Sequence, residues 1–327
     1  METLLYEKLP KTEYAQWLEF LSSQELTPSD DADFTVILAD SDGIAAVGSR
    51  CGSILKYIAV SPAHRGENLT AKILTELRKN AFAAGISHLF LYTKPKNLTL
   101  FEPLNFYRVA QTDSVLLMEN RRDGIASHLA GIPRYEGRNG AVVMNCNPFT
   151  LGHRYLIEEA AGRCDRLYVF VLSEDRSEFP FAHRLELVKR GTADLENVTV
   201  CTTGGYLVSS ATFPDYFLRK RTDITALQCE LDCRIFALHF ARALNISLRF
   251  AGSEDGSPVT ECYNRAMERY LPELGVEFVE IHRKLSKNGE AISAASVRGL
   301  LGKNRPDELK ALVPDSTYDH LEAHHLI

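Results

Sequence analysis

The run Asn145, Cys146, Asn147, Pro148, Phe149, Thr150, Leu151, Gly152, His153 follows directly on the apolar stretch AVVM and leads at once into the helical pattern RYLIEEA. A strand that passes through so short a turn into a helix aims the helix start at whatever lies beyond the strand. That start carries unpaired backbone N–H groups and the positive end of the helix dipole, which together favour an anion such as phosphate. Gly152 leaves room for close approach to the backbone, and His153 in the first turn adds a side-chain donor. Such donors act most strongly where negative charge grows on the bound group during reaction.

Three further places could contribute. Ile292, Ser293, Ala294, Ala295, Ser296, Val297 and Arg298 read as the start of a late helix, with the Ser293 hydroxyl as cap and the planar fork of Arg298 suited to phosphate oxygens. The charged turn SEDRS, after the apolar run LYVFVL, places Asp175 and Arg176 where ligand loops occur in parallel sheets. After SLRFA come Gly252, Ser253, Glu254 and Asp255, with Gly252 permitting a backbone approach. Arg184, within AHRLELVKR, reads as part of one polar helix face. Cys229 and Cys233 share a helical face and read as buried thiols.

The elements that must position these residues alternate. From AVVMN onward the chain reads strand, helix, strand through LYVFVL, NVTVCT, helices over 213–244, SLRFAG, VEFVEI and a last helix from Ser293. Alternation of this kind predicts a doubly wound, Rossmann-like parallel sheet, with ligands gathered beyond the carboxyl ends of its strands. The first third differs. FTVILAD and GIAAVGSRC flank the turn Ser41, Asp42, Gly43 as a hairpin, and LKYIAV, a helix with Leu69, Ile73, Leu74 and Leu77 on one face, and HLFLYT follow. We read an α+β domain over 1–120, a linker over 121–138 and a catalytic α/β domain over 139–327.

Composition sets outer limits. The 327 residues exceed one ordinary core, and 37 Lys and Arg against 43 Asp and Glu leave a net charge of −6. A polyanion is therefore a poor main partner, so neither nucleic acid nor an anionic membrane is expected. Seven scattered cysteines without zinc-ribbon spacing suggest free thiols, and neither a signal peptide nor a membrane-length apolar run is present, so a cytoplasmic location is expected. The His-rich tail HLEAHHLI reads as a solvated end, and no metal ligands are expected.

These motifs carry resemblances. TLGH resembles the T/H-x-G-H signature of the nucleotidylyltransferase superfamily, which implies nucleotidyl transfer from ATP, with Thr150 and His153 contacting the triphosphate. Ile292 to Arg298 resembles the superfamily's later I-S-x-T-x-x-R signature, with Ala295 where relatives often have Ser or Thr and Ser296 where many have Lys. Asn147 stands where relatives often carry an acid before the proline. The loop at Gly252 resembles the segment that packs near adenosine.

The longer stretches FVLSEDRSEFPFAHRLELVKRGTADLENVTV, GYLVSSATFPDYF and AGSEDGSPVTECYNRAM resemble the citrate lyase ligase family from about Asn139 to Leu301. That family uses ATP and acetate to acetylate the prosthetic-group thiol of the citrate lyase acyl carrier protein, releasing AMP and pyrophosphate. The resemblance implies Mg2+ with ATP, catalytic roles for Thr150, His153 and Arg298, and nucleotide contacts from Asn147, Pro148, Phe149, Gly152, Arg176, Gly252, Ser253, Glu254, Ile292 and Ser293.

LKYIAVSPAHRGENLTAKILTEL, with LFLYTKP and FEPLNFY, resembles the N-acetyltransferase-like fold over about the first 120 residues. Its pyrophosphate-binding pattern R-x-x-G-x-G/A reads here Arg65, Gly66, Glu67, Asn68, Leu69, Thr70, so two small residues are replaced. The unit is expected to recognise the CoA-like arm of the carrier or the carrier itself. Two other functions fit parts of the pattern: an adenylyltransferase acting on a phosphorylated small molecule, and an acyl-CoA-dependent N-acetyltransferase.

Overall fold

The computed structural model describes residues 1–27, 31–175, 177–209, 221–253, 258–286 and 289–324. The chain divides into two compact units, Met1–Gly124 with Ser210–Leu231 and Ile125–Ser209 with Asp232–Ile327.

The first unit is built on a seven-stranded sheet of β1 (Glu2–Tyr6), β2 (Phe34–Asp40), β3 (Gly43–Cys51), β4 (Ile54–Val60), β5 (Phe90–Thr93), β6 (Tyr107–Gln111) and β7 (Leu116–Glu119). Its order is β1-β2-β3-β4-β5-β7-β6, and every pairing is antiparallel except β4 with β5. Alternate residues of β2 and β3 face opposite ways, so both faces need cover. Val36, Leu38 and Ala46 pack under helix α2 (Leu69–Ala83), whereas Ile37 and Val47 pack with Trp17 and Leu21 of α1 (Lys11–Ser23).

The expected hairpin, helix and strand are present, and the structure adds β1 and α1 at the start. Neither was anticipated, because β1 is a half-exposed edge strand and α1 buries only Trp17 and Leu21 fully, leaving weak periodicity in the sequence. The parallel pairing of β4 and β5 covers only Ile54 with Phe90 and Leu55 with Leu91. Beyond Leu55 the two strands part.

In the second unit, β8 (Asn139–Met144), β9 (Arg166–Val171), β10 (Val198–Thr202), β11 (Ile246–Gly252) and β12 (Glu277–Ile281) form an all-parallel sheet in the order β10-β9-β8-β11-β12. The central strands are nearly continuous apolar runs because helices cover both faces. The chain steps outward from β8 through β9 to β10, then returns to lay β11 on the other side of β8. That reversal opens a crevice at the carboxyl ends of β8 and β11, the place where such sheets hold ligands.

The helices of this unit include α5 (Leu151–Ala161) after β8, α6 (Phe181–Gly191) after β9 and α9 (Pro258–Glu273) after β11. Three short helices close the chain: α10 (Ala294–Leu300), α11 (Pro306–Lys310) and α12 (Asp315–Ala323), with a separate small core of Phe179, Val297, Leu309, Val313 and Leu321. Within the stretch read as a linker, α4 spans Gly124–Ala130, and from there the chain packs on the second sheet: His128 Nε2 bonds the Thr202 carbonyl at 3.0 Å and Tyr168 donates to the Pro133 carbonyl at 2.8 Å. Of the helices read over 213–244, residues 213–220 lie outside the described set, and α7 covers Arg221–Ile235. All seven cysteines are free thiols, and Cys229 and Cys233 are buried.

Two sequence readings change. Arg184 is fully buried, not on a polar surface. Its guanidinium donates to the carbonyls of Phe179, Asn145, Leu172 and Glu174 and to the Asn145 side-chain oxygen, at 2.7 to 3.0 Å. A single planar fork thereby gathers the carboxyl ends of β8 and β9 and the loop between β9 and α6. The start of the tail also differs from a solvated end: it is helical through Ala323, and His320 is buried.

Candidate active site

A capping box shapes the start of α5. The Thr150 hydroxyl accepts from the His153 N–H at 3.3 Å, while His153 Nδ1 accepts from the Thr150 N–H at 3.1 Å and faces the Thr150 hydroxyl at 3.0 Å. The Leu151 N–H is taken by the Leu312 carbonyl at 2.9 Å. The Gly152 N–H meets no acceptor among the described residues. One backbone donor is thus left available at the helix start.

Because Nδ1 accepts a backbone N–H, the His153 proton must sit on Nε2. Burial and the positive field of Arg283 lower the imidazole pKa to about 4, so near neutrality the ring is an uncharged N–H donor. Phe149, fully buried, lies nearly parallel to it with centroids 5.9 Å apart and a tilt of 14°. Thr150, expected to touch a triphosphate, is buried with its hydroxyl on His153. In this arrangement Thr150 and Phe149 position the His153 ring.

The reason for glycine at 152 also differs from the expectation. A Cβ there would lie 2.7 Å from the Ile292 carbonyl oxygen, so the space is used by the chain's own backbone. That contact seats the late motif on the first turn of α5. Ile292 donates its N–H to the Lys284 carbonyl at 3.1 Å, and Leu285 bridges Ala291 antiparallel, so these two pairs of residues lie side by side. Ser293 caps α10 as expected, accepting from the Ser296 N–H at 3.1 Å. Arg298 then reaches back to donate to the Asn147 carbonyl, and its Nε faces a Glu178 carboxylate oxygen at 3.3 Å.

The loop after β8 is tied down further. Asn147, linked by a cis peptide to Pro148, accepts from the Phe179 N–H at 2.9 Å. At the end of β11 the Gly252 carbonyl accepts from Asn264, and Ser253 receives the Arg283 backbone N–H on its hydroxyl and the Arg283 guanidinium on its carbonyl, at 2.7 to 3.2 Å. The structure therefore brings together Asn147, Phe149, Thr150, Gly152, His153, Ile292, Ser293 and Arg298. Arg176 and Glu254 lie outside the described residues.

Arg283 and Lys284 went unnoticed in the sequence. The signal was there: His282, Arg283 and Lys284 form a basic run directly after the apolar segment that becomes β12, at the carboxyl edge of the sheet. Arg154, one residue past the motif, serves instead as a clamp, bonded to Glu158, the Gly191 carbonyl and both oxygens of Asp194. The assembled donors are a neutral His153 N–H, an open backbone N–H and the cations Arg283 and Arg298, a set suited to phosphate oxygens. Among the described residues, the sole grouping of three potential metal-ligating side chains is a histidine cluster elsewhere in the unit.

The first unit has a cleft of about 930 Å3 where β4 and β5 part, lined by Arg65, Gly66, Asn68, Thr70, Lys94 and Lys96 among others. Asn68 adopts φ 59°, a left-handed conformation that asparagine tolerates better than most residues, and precedes α2 with no hydrogen bond from its side chain to the helix N–H groups.

The second unit is thus a parallel α/β sheet with the TLGH helix start at its switch point, and the first is built on a mixed sheet. The family model for the citrate lyase ligase C-terminal domain matches residues 139–321. The citrate (pro-3S)-lyase ligase of Klebsiella pneumoniae is 39% identical over 310 residues, covering 92% of this chain and 90% of that protein. A phosphopantetheine adenylyltransferase of Symbiobacterium thermophilum is 40% identical over 67 residues, covering 20% of this chain and 41% of that protein. The solved structure of Escherichia coli ElaA is 15% identical, with 37% of this chain and 100% of that one covered and a TM-score of 0.33. The chain belongs to the citrate lyase ligase family.

Two outcomes follow from the helix start. Gly152→Ala must push the Ile292 backbone away, and we expect a loss of about 1 to 3 kcal/mol in urea unfolding of the second unit; unchanged stability would mean that the approach is not tight. For His153, 15N-detected NMR should show a ring protonated on Nε2 alone from pH 8 down to about 5. The unfolded chain takes up that proton near pH 6.5 and the folded chain near 4, so stability falls as pH drops through this window. A titration step near 6.5 in the folded protein would contradict the assigned environment.

Proposed function

We propose that this chain is an ATP-dependent acid–thiol ligase that activates acetate as acetyl adenylate and transfers the acetyl group to the prosthetic-group thiol of the citrate lyase acyl carrier protein. AMP and pyrophosphate are the other products. Family membership over most of the chain supports this reading, and the observation that carries the chemistry is the α5 start, where an uncharged His153 N–H and the free Gly152 N–H sit beside Arg298.

Acetate has a pKa of about 4 and is already an anion near neutrality, so no base is needed to activate it. The site must instead overcome repulsion between two anions and hold the carboxylate oxygen in line with the α-phosphorus. The His153 Nε2–H and the Gly152 N–H serve the phosphate oxygens, and Arg298 and Arg283 offset charge on the departing pyrophosphate. A neutral imidazole suits this task because it donates without giving up a proton. Thr150 and Phe149 act through His153, and Ser293 holds the helix that carries Arg298. Mg2+, when bound with ATP, would offset charge on the triphosphate.

In the second step the carrier thiol loses its proton, its sulfur attacks the acetyl carbonyl and AMP leaves. The first unit is the place for the carrier's CoA-like arm: its cleft is rimmed by the exposed cations Arg65, Lys94 and Lys96 and opens on the α2 start.

The test is acetate-dependent pyrophosphate release from ATP, with and without deacetylated carrier. His153→Ala and Arg298→Lys should each lower it about 100-fold or more. Release that needs a phosphorylated acceptor and ignores acetate would identify an adenylyltransferase. A paired measurement addresses the carrier: Arg65→Glu with Lys96→Glu should raise the KM for carrier about tenfold while leaving acetate-dependent ATP–pyrophosphate exchange unchanged. An unchanged KM would remove the cleft from carrier recognition.

A further inference from the structure

Away from the crevice, three imidazoles converge from two helices. His183 lies in the first turn of α6, and His320 and the following His324 are four residues apart at the end of α12. One ligating nitrogen from each lies within 4.8 Å of the others. His183 Nδ1 faces His320 Nε2 at 2.8 Å, and the His324 ring stacks on His320 with centroids 4.0 Å apart.

The hydrogen bonds prepare these rings for a cation. His324 Nδ1 lies 2.8 Å from the His320 carbonyl, which can only accept, so the proton is on Nδ1 and Nε2 keeps its lone pair. A histidine whose second ring nitrogen donates to a backbone carbonyl is the usual form of a metal ligand. Between His183 and His320 a single proton is shared by two nitrogens, and a metal ion can replace it and use both lone pairs. Two imidazoles on a tetrahedral ion with bonds of about 2.0 to 2.1 Å stand about 3.3 Å apart, so the pair need open by only about half an ångström.

We propose that His183, His320 and His324 form a site for a divalent transition-metal ion of the zinc, cobalt or nickel class, with the remaining position left to water. All-imidazole ligation excludes Mg2+ and Ca2+, which require oxygen donors. The site clips α12 to the start of α6. Its neighbour on α6 is Arg184, the residue that gathers the strand ends around the loop after β8. The ion therefore fixes the helix that braces the crevice, without touching the reacting groups.

The experiment uses untagged full-length protein stripped of metal by chelator and titrated with Co2+, Zn2+ and Mg2+. We expect one equivalent of Co2+ with visible absorption bands and no thiolate-to-cobalt charge-transfer band, and a rise in Tm of about 4 °C at a large excess of Zn2+ over its Kd. His183→Gln and His324→Ala, both on residues with solvent access, should each weaken Co2+ and Zn2+ binding at least about tenfold while leaving the metal-free Tm unchanged. Absence of stoichiometric binding, an equal effect of Mg2+, a thiolate band, or wild-type affinity in both variants would overturn the assignment.

Discussion

The N–H groups at the start of α5 have no partners within their own helix, and the second unit is arranged around how they are satisfied. One goes to the Leu312 carbonyl, one to the Thr150 hydroxyl, and one, on Gly152, meets no acceptor among the described residues. The same turn must also admit the Ile292 backbone, which is possible only because residue 152 has no side chain. Pairing, close packing and an open donor are therefore imposed on a few consecutive residues. The capping box resolves the conflict by turning His153 into part of the backbone scaffold while leaving its outer nitrogen free to donate.

Cations in this unit divide into two kinds according to what surrounds them. Arg184 and Arg154 are enclosed by carbonyls and carboxylates of the protein, where their forks hold loops and helix ends in register. Arg283 and Arg298 lie by the α5 start, where Arg283 donates to the Ser253 carbonyl and Arg298 donates to the Asn147 carbonyl and faces a Glu178 carboxylate. The first kind provides rigidity and the second provides field. A neutral His153 among the latter is consistent, since nearby positive charge disfavours a further proton on the ring.

Glycine is common where a backbone must take positive φ, and Asn68 takes that conformation at the entrance to α2. The cleft beside it depends less on this loop than on the early parting of β4 and β5, which a sequence reading cannot supply because both strands look equally apolar along their length.

Local chemistry and periodicity were legible in the chain by themselves: the parallel α/β unit from AVVMN onward, the hairpin before it, the helix start near Gly152 and the cap at Ser293. Each depends on residues within a few positions of one another, where spacing and side-chain type determine the outcome. What could not be read were contacts whose two halves lie far apart in sequence. Arg184 looked like surface because its carbonyl partners come from two strand ends and a loop, and Gly152 looked like room for a ligand because Ile292 stands 140 positions later. Arg283 gained meaning only once β12 placed it beside His153. His320 in the tail looked solvated until α12 folded against α6. The physical reason is common to all four: burial and electrostatic field are properties of the space around a group, and that space is filled by tertiary packing.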